Sequence, residues 1–195
     1  AIGAFAVASA AYAVITWERI GIWQNDIILF GDMIEKYPNV YFGYWMMGNF
    51  EKTGGNLDAA MQNYNKSIEL NASFDDSYYN RGILYDAIGN SKSAIQDYTT
   101  CIRINPNSSD AYNNRGWDHF LLGDTAAALH DIDTAITLRS DYFEAYNNKG
   151  WILYTSGANA KAIENFSRAI TINSGYARAY YNRAAAETKG ENFKA

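Results

Sequence analysis

The sequence predicts an all-α solenoid, in which pairs of antiparallel helices repeat along the chain. Two observations predict it. The chain repeats itself every 34 residues, the step from Gly48 to Gly82 and from Gly82 to Gly116, and apolar residues inside each repeat follow the helical period. Composition agrees, because 48% hydrophobic and 19% charged residues in a chain of 195 exclude a disordered segment. Only two prolines interrupt the pattern.

Each repeat is predicted to contain two helices, with a turn between them. Residues Ala60, Tyr64 and Ile68 share one helix face, which must be buried. Several columns keep the step of the repeat: Gly48, Gly82, Gly116, Gly150; Ala60, Ala94, Ala128, Ala162; and Tyr44, Tyr78, Tyr112, Tyr146, Tyr180. The first of these columns lies inside a helix, where each glycine costs about 1 kcal/mol relative to alanine. We expect the glycines to face the alanine column, so that the two helix backbones approach closely.

A second glycine column divides the two helices: Gly55, Gly89, Gly123 and Gly157. Glycine at a helix end suits a positive φ, which other residues adopt at a steric cost. The next residue can accept a hydrogen bond from the start of the second helix. The sequence therefore predicts N-caps at Asn56, Asn90 and Asp124.

These columns resemble the tetratricopeptide repeat family, whose unit has an aromatic residue, Gly, a second Gly at the turn, Ala and a small residue at this period. The resemblance covers residues 41–195 and implies a right-handed solenoid. It divides the chain into an apolar N-terminal helix (1–21), an orphan second helix capping the array (22–40), four repeats (41–74, 75–108, 109–142, 143–176) and a partial fifth (177–195). The chain departs from the family just before the first Gly, where Arg81, Arg115, Lys149 and Arg183 replace the usual Leu.

In superhelical members of this family, the first helices line a concave face on which an asparagine ladder holds an extended peptide. The resemblance assigns this role to Asn80, Asn114, Asn148 and Asn182. A carboxamide suits it, because it offers a donor and an acceptor to a peptide backbone. The alternative is that these asparagines form local hydrogen bonds between neighbouring repeats.

Acidic and aromatic residues surround the predicted ladder: Asp76, Asp110 and Glu144, with Trp117 and Trp151 on nearby turns. Such a groove would prefer a neutral or basic ligand. It lacks the basic residues through which chaperone-binding relatives clamp a C-terminal carboxylate. The aromatic residues either face a ligand, sugars included, or pack between repeats. The basic column could contact an acidic ligand, but we expect each member to pair with a carboxylate or carboxamide of the partner helix, such as Asp97 or Asp131.

The sequence contains no pattern typical of an enzyme, a metal site or a cofactor site. There is no Gly-rich phosphate loop and no nucleophile motif. His119 and His130 are the only histidines, and the single cysteine, Cys101, falls in a small-residue column typical of a core position. A net charge of −5 without a Lys/Arg cluster argues against nucleic acid as a partner. We therefore expect a non-enzymatic scaffold that binds a protein or peptide.

The two ends suggest further partners. Residues 1–17 carry no charge and are expected to lie in a bilayer or in a subunit interface. An orphan second helix at one end and an unmatched first helix at the other favour head-to-tail assembly into a helical filament. The alternative function is an extracytoplasmic repeat domain of a polytopic membrane protein, such as a glycosyltransferase. We expect an extracytoplasmic or cell-surface location.

Overall fold

The computed structural model describes residues 26–191, which form ten helices and no strand. The helices are α1 (Asp26–Lys36), α2 (Tyr41–Thr53), α3 (Leu57–Leu70), α4 (Asp75–Ala87), α5 (Ser91–Ile104), α6 (Ser109–Leu121), α7 (Thr125–Leu138), α8 (Phe143–Thr155), α9 (Asn159–Ile172) and α10 (Ala177–Glu191). The expectations for residues 1–21 lie outside this range. Within it, every helix is too short or too polar to cross a membrane.

The chain divides into two units, which meet in sequence between Asn80 and Arg81, inside α4. In the first unit, α1 contacts α2 and α2 contacts α3. Phe30 of α1 is buried, and a Cβ added to Gly43 of α2 would lie 3.2 Å from the Met33 sulfur. The small residue at position 43 thus lets α1 pack closely on α2.

In the second unit, helices from the end of α4 to α10 pack as successive antiparallel pairs. The turn glycines behave as predicted, with φ of 81° at Gly55, 75° at Gly89, 87° at Gly123 and 84° at Gly157. These are the positive φ values of the described residues. All-α helix pairs linked by glycine turns confirm the predicted fold class.

The N-cap prediction holds at two of three sites. The side chains of Asn90 and Asp124 accept hydrogen bonds from the backbone N–H groups of Ser93 and Ala127, at 3.2 and 3.0 Å. At Asn56 the prediction was wrong, because its side chain makes no capping bond and its Nδ2 instead donates to Glu51 Oε2 at 2.7 Å. A carboxylate within reach competes for the same amide.

Bulky side chains of the second helices lie directly against the helix glycines. A Cβ on Gly48 would lie 2.6 Å from the ring of Tyr64, and one on Gly82 would lie 2.7 Å from the ring of Tyr98. A Cβ on Gly150 would lie 2.6 Å from the ring of Phe166. An aromatic ring therefore occupies the space beside each of these three glycines. At Gly116 the neighbour is Ile132, and the Ala128 carbonyl comes within 3.0 Å of the added Cβ.

Two of the four members of the basic column pair with a carboxylate of the partner helix, as predicted. Arg81 contacts Asp97 through two hydrogen bonds of 2.7 Å, and Arg115 contacts Asp131 through two of 2.7 and 2.8 Å. Both aspartates are buried, so these bidentate pairs join the two helices of one repeat. The other members differ, since Lys149 pairs with the exposed Asp133 and Arg183 donates to the Ser167 hydroxyl.

Candidate functional site

The predicted asparagine ladder forms hydrogen bonds between successive first helices of the second unit. Asn148 Nδ2 donates to Asn113 Oδ1 at 3.0 Å, which joins α8 to α6. Asn182 Nδ2 donates to Asn147 Oδ1 at 2.9 Å, which joins α10 to α8. The two acceptors are buried, at 5% and 2% exposure. The Nδ2 groups of Asn148 and Asn182 therefore form local hydrogen bonds between neighbouring repeats, which was the alternative to a peptide-binding ladder.

The other two ladder members have different surroundings. Asn114 Oδ1 accepts from Asn113 Nδ2 at 3.1 Å, and its Nδ2 reaches the Tyr98 hydroxyl at 3.5 Å. Asn80, in the first unit, accepts from Lys52 Nζ at 2.7 Å and donates to the Asp76 carbonyl at 3.0 Å. The four asparagines share a position in the repeat but not a set of partners.

Two carboxamide oxygens of the ladder are left for a ligand. The Oδ1 atoms of Asn148 and Asn182 accept no hydrogen bond from the part of the chain that the structure describes. Neither oxygen is a fully buried atom that lacks a partner, and both therefore retain contact with solvent. Each is an acceptor whose amide is already fixed by its other end.

The acidic column contributes to contacts within the protein as well as to the surface. Asp110 accepts hydrogen bonds of 2.7 Å from Arg139 Nη2 and from the Tyr142 hydroxyl. With Glu144 it lines a shallow pocket of about 340 Å³. In the first unit, burial and then the neighbouring Asp75 raise the pKa of Asp76. The predicted site residues thus lie on both units.

The two tryptophans take different positions. Trp151 packs against the buried cluster around Phe166, with its ring 5.6 Å from that of Tyr154, so it follows the packing interpretation. Trp117 lies half-buried on α6, with its ring 5.3 Å from that of Phe120. Trp117 also lines a larger pocket that the sequence analysis did not predict.

This larger pocket, which we call the acidic pocket, has a volume of about 540 Å³ and lies within the second unit. Its lining combines two carboxylates with apolar side chains: Asp86, Lys92, Trp117, Asp118, Leu121 and Leu122. Asp118 is only 2% exposed, whereas the two leucines are 57% and 49% exposed. The pocket therefore has an acidic interior and an apolar, open rim.

Asp86 and Asp118 are neighbouring carboxyl groups whose pKa values are both raised by burial. Burial, and to a lesser extent the neighbouring Asp86, raises the pKa of Asp118 to about 7, although a hydrogen bond from Ser91 opposes the shift. Burial likewise raises the pKa of Asp86, whose Oδ2 accepts a 2.5 Å hydrogen bond from the Tyr98 hydroxyl. Asp86 Oδ1 and Asp118 Oδ2 are buried beyond the reach of any donor in the described residues. Two such carboxyl groups bond to each other only when one is protonated.

A signal in the sequence could have found this pair. Asp118 belongs to the column Phe50, Leu84, Ile152 and Ala186, which is apolar at every other position. Leu84 and Ile152 are 1% and 0% exposed, so the column is a core position. A carboxyl group there breaks the pattern of the repeat, and buried carboxyl groups are costly unless they have a partner.

No group of three metal-ligating side chains occurs within residues 26–191. His119 Nε2 lies 4.0 Å from Asp131 Oδ2, and that carboxylate is already bound by Arg115. Cys101 is buried, and its sulfur donates to the Ser108 hydroxyl at 3.8 Å, which fits the predicted core position. The chemistry that this site offers is therefore hydrogen bonding and charge, from asparagines and carboxylates.

Comparison with known proteins identifies the repeat. A family model described as TPR repeat matches residues 48–89, and two described as tetratricopeptide repeat match residues 76–108 and 113–177. The chain belongs to the tetratricopeptide repeat family. The expected solenoid fold is thereby confirmed. Among curated proteins, no sequence matches this tetratricopeptide repeat chain significantly.

Solved structures of several other proteins superpose on the chain. A crystal structure of MamA does so with a TM-score of 0.69 and 28% identity, over 77% of this chain and 82% of that one. YrrB, described as a TPR protein with an unusual peptide-binding site, gives 0.70 and 24% over 84% of each chain. A thermophilic TPR protein of Thermus thermophilus, TTC0263, gives 0.69 and 16%, over 89% of this chain and 95% of its own. The last two comparisons show a common fold.

Proposed function

We propose that this protein is a non-enzymatic scaffold whose second unit binds an extended segment of a partner protein along α6, α8 and α10. One observation carries the proposal. The carboxamide oxygens of Asn148 and Asn182 lie on adjacent first helices, accept no hydrogen bond from the described residues and retain contact with solvent. They are the acceptors that the backbone N–H groups of an extended peptide need.

Preorganisation supports this function. The Nδ2 groups of Asn148 and Asn182 are held by buried asparagines of the preceding first helix, Asn113 and Asn147. The side chain therefore loses little rotational freedom when a peptide binds, and that loss is one of the main costs of association. Carboxamide oxygens of this kind bind the peptide backbone whatever its side chains are. The peptide sequence is therefore selected by the groups around them.

Charge complementarity favours a neutral or basic segment. Glu144 and Asp110 line one pocket of the second unit, and Asp86 and Asp118 line the other. The chain as a whole carries a net charge of −5. An acidic surface attracts basic partners and repels acidic ones, mainly through the rate of association.

The test begins with a selection of peptides from a random display library on the immobilised chain, followed by fluorescence polarisation with the selected peptide. Asn148→Ala removes one acceptor and should weaken binding about tenfold, the effect of losing about 1.4 kcal/mol. The matched control is Asn165→Ala on α9, a second-helix asparagine whose amide donates to the Lys161 carbonyl of its own helix. Circular dichroism checks that both variants fold.

Equal affinities of Asn148→Ala and the wild-type chain would contradict the proposal. So would an equal loss in the Asn165→Ala control, because that loss would report a general effect on stability. A library from which no peptide is enriched over an unrelated helical protein would also count against it.

Head-to-tail self-assembly is the second candidate, because each unit exposes large apolar side chains. In the first unit, Ile28, Tyr37 and Phe42 are 49%, 62% and 42% exposed. In the second, Tyr180 and Tyr181 of α10 are 42% and 76% exposed. Light scattering over a concentration series should show growing assemblies that Tyr181→Lys disrupts, whereas a monomer at every concentration would contradict this candidate.

A further inference from the structure

Nothing in the packing of the repeat calls for a carboxyl group at position 118. The equivalent residues of the neighbouring repeats, Leu84 and Ile152, fill the same core position with apolar side chains. Burying Asp118 in their place costs desolvation free energy, which a leucine would not. Asp118 also meets a second carboxyl group, Asp86, rather than a cation. A feature that weakens the fold and opens onto a pocket points to a ligand.

We propose that the acidic pocket binds the ammonium or guanidinium group of a lysine or arginine side chain of the partner at the buried, unpartnered oxygens of Asp86 and Asp118, with release of one proton to solvent. This inference deepens the proposed function and rests on it, since the side chain belongs to the bound segment. A protonated amine approaches the pair, one proton leaves to solvent, and the N–H donors of the cation replace it. Charge balances, because one positive charge enters as one leaves.

The hydrogen-bonding state of the pair supports the exchange. Asp86 Oδ1 and Asp118 Oδ2 are buried and have no donor from the described residues, so both are acceptors that a bound cation can satisfy. Asp118 is almost fully enclosed, at 2% exposure, and lines the pocket. A cation with several N–H donors satisfies both carboxylates at once.

The rim of the pocket selects among cations. Trp117, Leu121 and Leu122 give the opening an apolar lining, and both leucines are exposed in the absence of a ligand. Lysine and arginine carry a charged group on an apolar stem, which fits an acidic interior below an apolar rim. A metal ion would use none of this rim. The aromatic face of Trp117 adds a favourable contact for a cation.

The other charged and titratable groups around the pair are compatible with this ligand. From α5, the Tyr98 hydroxyl donates to Asp86, and burial raises its pKa, so it stays a neutral donor. Lys92, also on α5, is exposed and forms no ion pair within the described residues. On α6, His119 lies toward Asp131. Lys92 repels an incoming cation, so Lys92→Met should increase its affinity.

The experiment uses a probe that needs no backbone capture, Nα-acetyl-lysine N-methylamide, titrated into the full chain by isothermal calorimetry. The same molecule acetylated at Nζ is the uncharged control. The charged probe should bind and the acetylated one should not. Asp118→Asn keeps the shape of the side chain but removes the charge, and should weaken binding at least tenfold. Circular dichroism confirms the fold, and Asp133→Asn, an exposed aspartate of α7, is the matched control.

Proton release makes the affinity for the probe depend on pH, which it would not do if Asp118 had only a structural role. Below about pH 7 the affinity should rise about tenfold per pH unit, because one proton must leave for each cation bound, and above pH 7 it should level off. Calorimetry in buffers of different ionisation enthalpy should show release of about one proton at pH 6. A pH-independent affinity, equal binding of both probes, or full binding by Asp118→Asn would each overturn the proposal.

Failure of this inference and failure of the proposed function are distinguishable. If the lysine probe binds with the expected pH dependence but Asn148→Ala leaves peptide affinity unchanged, cation binding in the acidic pocket is supported and peptide binding by the asparagine ladder is contradicted. If selected peptides bind through Asn148 but their affinity is insensitive to replacing each Lys and Arg by norleucine, the ladder stands and the pocket falls.

Discussion

Two buried aspartates on successive helices of the second unit show how the neighbouring side chain determines the charge state and the role of a carboxyl group. Asp131 of α7 is 3% exposed and receives two hydrogen bonds from Arg115. Asp118 of α6 is 2% exposed and meets the carboxyl group of Asp86. The first pair is neutralised by an opposite charge and joins two helices. The second has no counter-ion among the described residues, and burial raises the pKa of both carboxyl groups, so its charge depends on pH near neutrality.

Removing the arginine should give the largest change. Arg115→Met leaves Asp131 buried without its counter-ion, and breaking a buried ion pair in this way costs about 3 kcal/mol. Urea denaturation at pH 7 measures the free energy of unfolding. The control is Arg103→Met on α5, whose side chain is exposed. If Arg115→Met and Arg103→Met lost similar stability, the Arg115–Asp131 pair would not be a main support of the α6–α7 contact.

The pH dependence of stability should come second. The ordinary pKa of Asp118 is 3.8 and the folded value is about 7, so between these values the folded chain holds a proton that the unfolded chain has released. The free energy of unfolding should therefore fall as pH rises, and level off above 7. The slope for one proton approaches about 1.4 kcal/mol per pH unit, so the loss from pH 5 to 7 should be about 2 kcal/mol.

Asp118→Asn tests that slope, because its side chain has nearly the same shape and does not titrate. Denaturation curves of both proteins at pH 5, 6, 7 and 8 give the difference in slope, which removes the contribution of all other groups. Equal slopes for the wild-type chain and Asp118→Asn from pH 5 to 7 would show that Asp118 is already ionised in the fold at pH 5, contrary to its raised pKa.

Restoring the apolar column should have a smaller effect of opposite sign to the first prediction. Asp118→Leu removes the buried carboxyl group and places there the residue found at position 84, so at pH 8 the chain should gain about 1 kcal/mol. Asp131→Leu is the matched comparison, and it should destabilise because it leaves Arg115 without its carboxylate. Thermal unfolding measures both. Loss of stability in both variants would remove the distinction between the two aspartates.

The same comparison explains which parts of the molecule the sequence predicted. Helix pairs, glycine turns and the Arg81 and Arg115 pairs follow from columns that recur in each repeat, because a periodic constraint leaves a periodic pattern. A contact that occurs in only one repeat leaves no recurring column in the sequence, so it cannot be predicted from the repeat pattern. Asn56 loses its capping role to a nearby Glu51, and Ile132 changes what Gly116 meets. Such exchanges are decided by a single neighbour in space.

The sequence predicted where the ladder asparagines lie but not their hydrogen-bond partners. Asn148 and Asn182 lie on the first helices as expected, yet their Nδ2 groups already bind Asn113 and Asn147, which the ladder pattern does not include. Asp118 was not predicted, because it breaks an apolar column at a single position, whereas the predictions followed residues that recur in every repeat. A deviation from a repeat carries more information about function than the repeat itself, since the repeat already accounts for the fold.

The smallest change in the free energy of unfolding is expected for Lys149, where the basic column is more exposed to solvent. Lys149 pairs with Asp133 at 2.6 Å, but the two side chains are 28% and 54% exposed, against 17% and 4% for Arg115 and Asp131. Water and salt screen the Lys149 pair, so Lys149→Met should change the free energy of unfolding by about 0.5 kcal/mol or less. Adding 1 M salt should reduce that difference further while leaving most of the Arg115→Met effect. Equal salt sensitivity of the two variants would mean that burial of the carboxylate does not separate these pairs, and the contrast with Asp118 would lose its physical basis.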